Sequence, residues 1–139
     1  DHFLHIIPTL SIFNAFDLPD MHKFMVEECG MKVDALYINM LTGPDIYRVH
    51  VLPKEFKEKL KKKYIDHIEW IRKGHEEGKF EYVDFVIRLF NHAIEFVMKE
   101  DYSSHLKEFY EETKTLDKLR GERFEDIYPE YKDLKNYIT

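Results

Sequence analysis

The chain has 139 residues, of which 44% are hydrophobic and 35% are charged, and its formal net charge is −6. This composition suffices for a globular fold with a core and excludes a disordered chain. No apolar run reaches the roughly 18 residues that a membrane span needs, and the start has no signal-peptide pattern. The single Cys29 excludes an intramolecular disulfide and predicts a reducing, cytoplasmic compartment.

The first part of the chain predicts two strands joined by a helix. Residues 4–13 are rich in β-branched and aromatic side chains, although Pro8 has no N–H for a ladder bond. A helix is predicted over residues 19–29, with Gly30 at its end. Apart from Asp34 and Asn39, residues 33–41 are apolar on both faces, as in a buried parallel strand. Together these elements predict a βαβ unit.

The rest of the chain predicts helices. Residues 53–73 carry apolar side chains at helical spacing, and so do residues 80–99 and 103–119. Gly121 is expected to stop the third of these helices. The tail after Gly121 contains seven large apolar or aromatic residues, so we expect it to dock on the fold. The organisation predicted is a βαβ segment over residues 1–52 and a helical extension over residues 53–139.

Charge is distributed unevenly over this helical part. Residues 48–73 contain nine Lys or Arg and four Asp or Glu, whereas residues 95–133 contain twelve acids and seven bases. A basic helix can bind phosphates. The alternative is a solvated helix face that pairs with the acidic segment of the same fold. Nucleic-acid binding through residues 54–63 is disfavoured by the acidic total and by the lack of interleaved aromatic residues.

Small polar residues follow both predicted strands. Ligands of parallel α/β sheets bind beyond the carboxyl ends of the strands. That rule indicates Ser11 and Asn14 after the first strand, and Asn39, Thr42 and Gly43 after the second. Such groups suit a ribose, an amide or a carboxylate, but they supply no strong base or nucleophile. The alternative is that Ser11 and Asn14 only cap their loop.

A metal site is not predicted, although the chain has eight His. There is no HExxH motif, and no two His lie four apart within one predicted helix. His22, His67, His92 and His105 belong to four different helices. His50 is expected to be a partly exposed residue of a short extended segment over residues 46–52. Nucleotide-binding and hydrolase motifs are missing as well.

Short sequence elements recur at the predicted strand ends, at the helix starts and in the tail. The first set consists of a strand ending in a Ser-x-x-Asn element, a Leu-Pro helix start, an Asn-containing strand end, a Gly-Pro turn and a second Leu-Pro: Ser11, Asn14, Leu18, Pro19, Asn39, Gly43, Pro44, Leu52 and Pro53. The second set lies in the tail: Leu116, Asp117, Lys118, Arg120, Phe124, Pro129 and Glu130. Together these elements resemble the later strands and the tail of radical S-adenosylmethionine (radical SAM) enzymes with twitch or SPASM-type extensions. The resemblance covers most of the chain.

The resemblance implies an α/β fold, namely the C-terminal βαβ portion of a partial (β/α) barrel followed by a mainly helical extension. It implies S-adenosylmethionine and a 4Fe–4S cluster as cofactors of a longer protein. Ser11, Asn14 and Asn39 would contact the cofactor, and Thr42 and Gly43 the substrate, a small molecule or a peptide of unknown identity. The cluster motif CxxxCxxC is absent, and the single Cys29 cannot hold a cluster by itself. This chain alone is therefore expected to hold no cofactor.

The sequence leaves two interpretations of function. In the first, the chain forms part of the S-adenosylmethionine and substrate pocket of a radical SAM enzyme, which cleaves the cofactor reductively and abstracts hydrogen from its substrate. A missing N-terminal half or a partner chain would supply the cluster, and this chain would be inactive alone. In the second, the chain is a non-catalytic interaction module whose helices bind a protein and whose strands extend a partner's sheet.

Overall fold

The fold is mainly helical. The structure is a computed structural model that describes residues 4–138, so residues 1–3 and Thr139 lie outside it. Helices account for 62% of the described residues. The α-helices are α1 (Leu18–Glu27), α2 (Lys54–Glu76), α3 (Asp84–Lys99), α4 (Leu106–Arg120) and α5 (Phe124–Ile127). Short 3-10 helices span Asp45–Tyr47, Val49–Val51, Ser103–His105, Pro129–Tyr131 and Leu134–Tyr137.

The predicted βαβ portion of a partial barrel is wrong. The two strands, β1 (Thr9–Leu10) and β2 (Asn39–Met40), are parallel but only two residues long. Ladder formation is limited because Pro8 has no N–H to donate. Beyond Leu10, the N–H of Ile12 donates to the carbonyl of Tyr47 at 3.0 Å, so the chain no longer pairs with the second strand there. The apolar residues around the strands pack into the same core as the helices, which removes the need for further strands.

Helix α2 buries one apolar stripe, as its spacing predicts. Phe56, Leu60, Tyr64, Ile68 and Ile71 are all at most 3% exposed. They lie on one side because residues three and four apart share a helix face. Helix α2 packs mainly against α3, and this pair forms the centre of the fold.

Helix α3 buries a narrower face than its sequence indicates. Its buried side chains are Val86, Leu89, Phe90, Ala93 and Val97. Phe85 and Met98 of the same helix are apolar but 44% and 36% exposed. The predicted extended segment at residues 46–52 is also wrong, because it consists of two consecutive 3-10 turns.

The tail after α4 docks on the core, as predicted. Gly121 ends α4 in the left-handed region, with φ of +67°, and its N–H donates to the carbonyl of Asp117. Phe124, Tyr131 and Leu134 are then buried. The hydroxyl of Tyr131 donates to the carbonyl of Ile12, 119 residues away along the chain. The tail therefore completes the core next to β1.

Candidate functional site

The predicted site residues after β1 form a closed hydrogen-bonded loop. Oδ1 of Asn14 accepts the backbone N–H of Ser11 at 2.9 Å, and its Nδ2 donates to the carbonyl of Thr9 at 2.7 Å. Oγ of Ser11 accepts the N–H of Phe13 at 3.2 Å. Both side chains thus use their polar atoms to hold the turn before α1, which favours the loop-capping alternative.

The predicted site residues after β2 lie on the surface. Asn39, Thr42 and Gly43 are exposed. None of the five predicted residues lines the cavity beside Lys57 or the cavity beside Phe13 and Tyr47. A role for them in binding S-adenosylmethionine or a substrate stays a prediction.

A buried polar cluster connects the segment before α2 to the end of α3. Arg48 is 7% exposed and donates from Nη1 to the hydroxyl of Tyr102 at 3.0 Å and from Nη2 to Oε1 of Glu100 at 3.3 Å. Its Nε donates to Nδ1 of His50 at 3.2 Å. Nε2 of His50 therefore carries the proton and donates it to the carbonyl of Phe96.

His50 is fully buried, so its expected partial exposure is wrong. Burial lowers the pKa of its imidazole, and the nearby Arg48 charge lowers it further, against the opposing hydrogen bond to Phe96. The neutral ring serves as a fixed link between the 3-10 turn Val49–Val51 and α3. This cluster holds the backbone of Glu100 in place beside the start of α2.

Lys57 lies next to this cluster and is a buried cation. Its residue is 6% exposed, and its Nζ donates to the carbonyl of Glu100 at 2.9 Å. Within residues 4–138, no carboxylate oxygen lies within 4.0 Å of this nitrogen. Burial lowers the pKa of the Lys57 ammonium, and the more distant Asp101 charge opposes that shift. A buried ammonium with one neutral acceptor is an incompletely satisfied charge.

A cavity of about 680 Å³ opens beside Lys57, between the first turn of α2 and the connection from α3 to α4. We call it the lysine cavity. Two further cations, Lys54 and Lys99, line it, as do the hydroxyl-bearing Ser103 and Ser104. The first turn of α2 has no side-chain cap, so its free N–H groups add partial positive charge there.

The two carboxylates of the lysine cavity already have partners. Oε1 of Glu100 accepts from Arg48, and hydrogen bonding to Tyr102 and Arg48 lowers the pKa of this carboxyl. Oδ1 of Asp101 accepts the N–H of Ser103 at 2.9 Å, and hydrogen bonding to Ser103 lowers its pKa. With both carboxylates committed in this way, the three lysines give the cavity the character of an anion site.

A buried histidine pair was missed from the sequence. Nδ1 of His22 lies 2.8 Å from Nε2 of His67, and Nε2 of His22 lies 2.9 Å from the carbonyl of Val33. Since a carbonyl only accepts, His22 donates from Nε2 and accepts at Nδ1. His67 then donates from Nε2, which leaves its buried Nδ1 without a partner among the described residues.

Burial keeps this pair neutral. It lowers the pKa of His22, against the hydrogen bond to Val33, and it lowers the pKa of His67 to about 3. The signal in the sequence was the position of each His on the apolar stripe of its helix. Two His alone do not make a metal centre, and residues 4–138 contain no group of three or more metal-ligating side chains.

Comparison with known proteins adds no relative: no family model, no curated protein and no solved structure matches the chain. The resemblance to radical SAM enzymes therefore stays a prediction. Along the described residues, none of the helices combines the length and the apolar character needed to cross a bilayer. The cavities of the fold itself are consequently the features from which a function can be inferred.

Proposed function

We propose that this protein binds a small anionic ligand, a carboxylate or phosphate compound, in the lysine cavity. The observation that carries the proposal is Lys57, a cation that is 6% exposed, lines a cavity and has a backbone carbonyl as its hydrogen-bond acceptor. Burying an unpaired charge is costly, and an anion in the cavity would offset that cost.

The energetics favour an anion over a neutral ligand. Opposite unit charges 4 Å apart attract by about 4 kcal/mol at the screening typical of a protein surface, before desolvation is subtracted. Lys54 and Lys99 extend the positive field to the mouth of the cavity, and Ser104 provides a hydroxyl donor. The volume lies in the usual range for small-molecule sites. Met98 and Tyr137 supply apolar contacts for the body of the ligand.

The radical SAM interpretation and the interaction-module interpretation remain alternatives to this proposal. The first has lost its support from the fold, and its cluster would still require three cysteines from outside this chain. Nothing in the fold favours a particular protein partner for the second. A cytoplasmic location is proposed on one ground, the single Cys29, which suits a reducing compartment.

The proposal is tested by titrating the protein with inorganic phosphate, pyrophosphate and succinate in amide-resolved NMR. We expect saturable shifts at Lys57, Glu100 and Ser103 for at least one of these anions. Lys57→Met should weaken that binding at least tenfold, or about 1.4 kcal/mol. The matched control is Lys62→Met on the same helix, since Lys62 has a 78% exposed side chain.

A second variant keeps the test valid if Lys57→Met fails to fold. Lys54 and Lys99 are exposed, so replacing both with Gln should leave the fold intact and still weaken binding. Equal affinity in wild type, the Lys54/Lys99 double variant and the Lys62 control would overturn the proposal. Shifts spread evenly over the basic surface would overturn it as well, because they indicate non-specific screening.

A further inference from the structure

A second cavity, of about 460 Å³, lies where the chain leaves the two strands. We call it the aromatic cavity. Phe13 follows β1 and Tyr47 follows β2, and Phe124 and Tyr128 of the docked tail complete its aromatic lining. This is the position that the strand-end rule indicates, although the rule pointed to other residues. The aromatic cavity and the lysine cavity have no lining residue in common, so a ligand of the aromatic cavity is independent of the proposed function.

The rings around the aromatic cavity hold one another in place. Phe13 lies 5.4 Å from Tyr47 and 5.9 Å from Tyr128, measured between ring centroids, and Phe124 lies 5.0 Å from Tyr128. The hydroxyl of Tyr47 donates to Glu112 at 2.5 Å, which fixes the orientation of its ring. Tilted ring pairs at these distances are favourable, and a further flat ring can join them by offset or edge contact.

Charges of both signs lie at the rim. Arg120 and Glu122 are exposed and line the cavity, and among residues 4–138 neither forms an ion pair, with each other or with another side chain. The third charged residue, Asp117, is already engaged. It accepts the N–H of Phe124 at 3.1 Å and lies 3.8 Å from Nζ of Lys114.

We propose that the aromatic cavity binds a free aromatic α-amino acid. The ligand ring packs against Phe13, Tyr47 and Tyr128, its carboxylate pairs with Arg120, and its ammonium pairs with Glu122. A purely cationic ligand would leave the guanidinium unused, and a purely anionic one would leave the Glu122 carboxylate unused. A zwitterion with an aromatic side chain satisfies both charges and the apolar wall at once.

The test compares four ligands by NMR titration: L-phenylalanine, phenethylamine, hydrocinnamate and L-alanine. These compounds present the full zwitterion, the ammonium alone, the carboxylate alone and the zwitterion without a ring. L-phenylalanine should shift the signals of Phe13, Tyr47 and Tyr128 and should bind at least tenfold more tightly than each of the others. Binding of hydrocinnamate or phenethylamine as tight as that of L-phenylalanine would overturn the zwitterion assignment.

Two surface variants separate the roles of the rim charges without disturbing the fold. Arg120→Gln should weaken the binding of L-phenylalanine and hydrocinnamate but leave that of phenethylamine unchanged. Glu122→Gln should weaken the binding of L-phenylalanine and phenethylamine but leave that of hydrocinnamate unchanged. Arg123→Gln is the matched control, because Arg123 is exposed and does not line the cavity. Equal L-phenylalanine affinity in the Arg120 and Arg123 variants would overturn the proposal, as would unshifted ring signals at 20 mM L-phenylalanine.

Discussion

Lowering the pH from 7.5 to 5.0 is expected to reduce the free energy of unfolding by about 2 kcal/mol through His67 alone. Its ring is 3% exposed and packs against Trp70 and Phe90, at centroid distances of 5.1 Å and 4.6 Å. The folded environment therefore opposes a charge on this imidazole. The nearby positive charges of Lys23 and Lys63, and a charge on His22, oppose it further.

The sign and the size of the loss are set by the two pKa values of His67. Its pKa is about 3 in the folded protein and 6.5 for an unperturbed side chain. Between these values the unfolded chain binds a proton that the folded chain does not, so stability falls as the pH falls. At pH 5.0, which is 1.5 pH units below the unfolded value, the loss is about 1.4 kcal/mol for each unit, or about 2 kcal/mol. His22, whose pKa is also lowered, adds to the loss.

The assay is urea unfolding at pH 7.5, 6.0 and 5.0 on wild type, His67→Gln and His92→Gln. His67→Gln keeps a donor for Nδ1 of His22 but removes the titrating ring. Between pH 7.5 and pH 5.0, this variant should therefore lose about 2 kcal/mol less free energy of unfolding than wild type. His92 is exposed on α3, and its replacement should leave the pH dependence as in wild type. An equal loss of free energy in all three proteins on acidification would refute the role assigned to His67.

Two further predictions concern packing. Phe90 of α3 is fully buried against α2, so Phe90→Ala should cost about 3–5 kcal/mol in urea unfolding. The control Lys62→Ala, at an exposed position, should cost under about 0.5 kcal/mol. Similar unfolding midpoints for the two variants would contradict this placement of the core. A Cβ at Gly74 would lie 2.2 Å from the ring of Phe80, so Gly74→Ala should destabilise the fold by about 1–3 kcal/mol in urea unfolding, despite the better helix propensity of Ala. The control Lys73→Ala, at an exposed position, should be nearly neutral in the same assay.

The helices were predictable because their apolar spacing matches the way they pack. In α2 every residue of the predicted stripe is buried, and at the end of α4 Gly121 has the left-handed conformation that its position indicated. The first turns were less predictable: α3 begins at Asp84 rather than at residue 80, since Phe80 instead folds back on Gly74 and packs against Trp70.

The predicted strand lengths were wrong for a physical reason. The apolar residues of both predicted strands are buried, as their sequence indicates: Leu10, Ile12, Leu36 and Ile38. A short apolar run predicts burial, but it does not distinguish a strand from an irregular segment that helices cover. Strand length depends instead on whether neighbours complete the ladder, and that depends on long-range contacts. The bond from Ile12 to Tyr47 is one such contact.

The cavities could not be read from the sequence because each combines distant segments. Lys57 was part of a basic run, and nothing in its neighbours distinguished it from the exposed lysines beside it. Its ammonium finds a hydrogen-bond acceptor in the backbone of Glu100, 43 residues away along the chain. Phe13 and Tyr128 meet only because the tail returns to β1.

The bond between Tyr131 and Ile12 has a consequence for the order of events during synthesis. The N-terminal part of a chain emerges first from the ribosome, so Ile12 and Phe16 emerge long before Tyr131. In the folded protein, the ring centroids of Tyr131 and Phe16 are 5.8 Å apart. Contacts across such sequence separations form slowly and late. A nascent chain that stops short of α5 would expose the apolar surface that Phe124, Tyr131 and Leu134 cover. Protection by chaperones would matter most in that interval, and folding would be completed only when residue 134 is free of the ribosome.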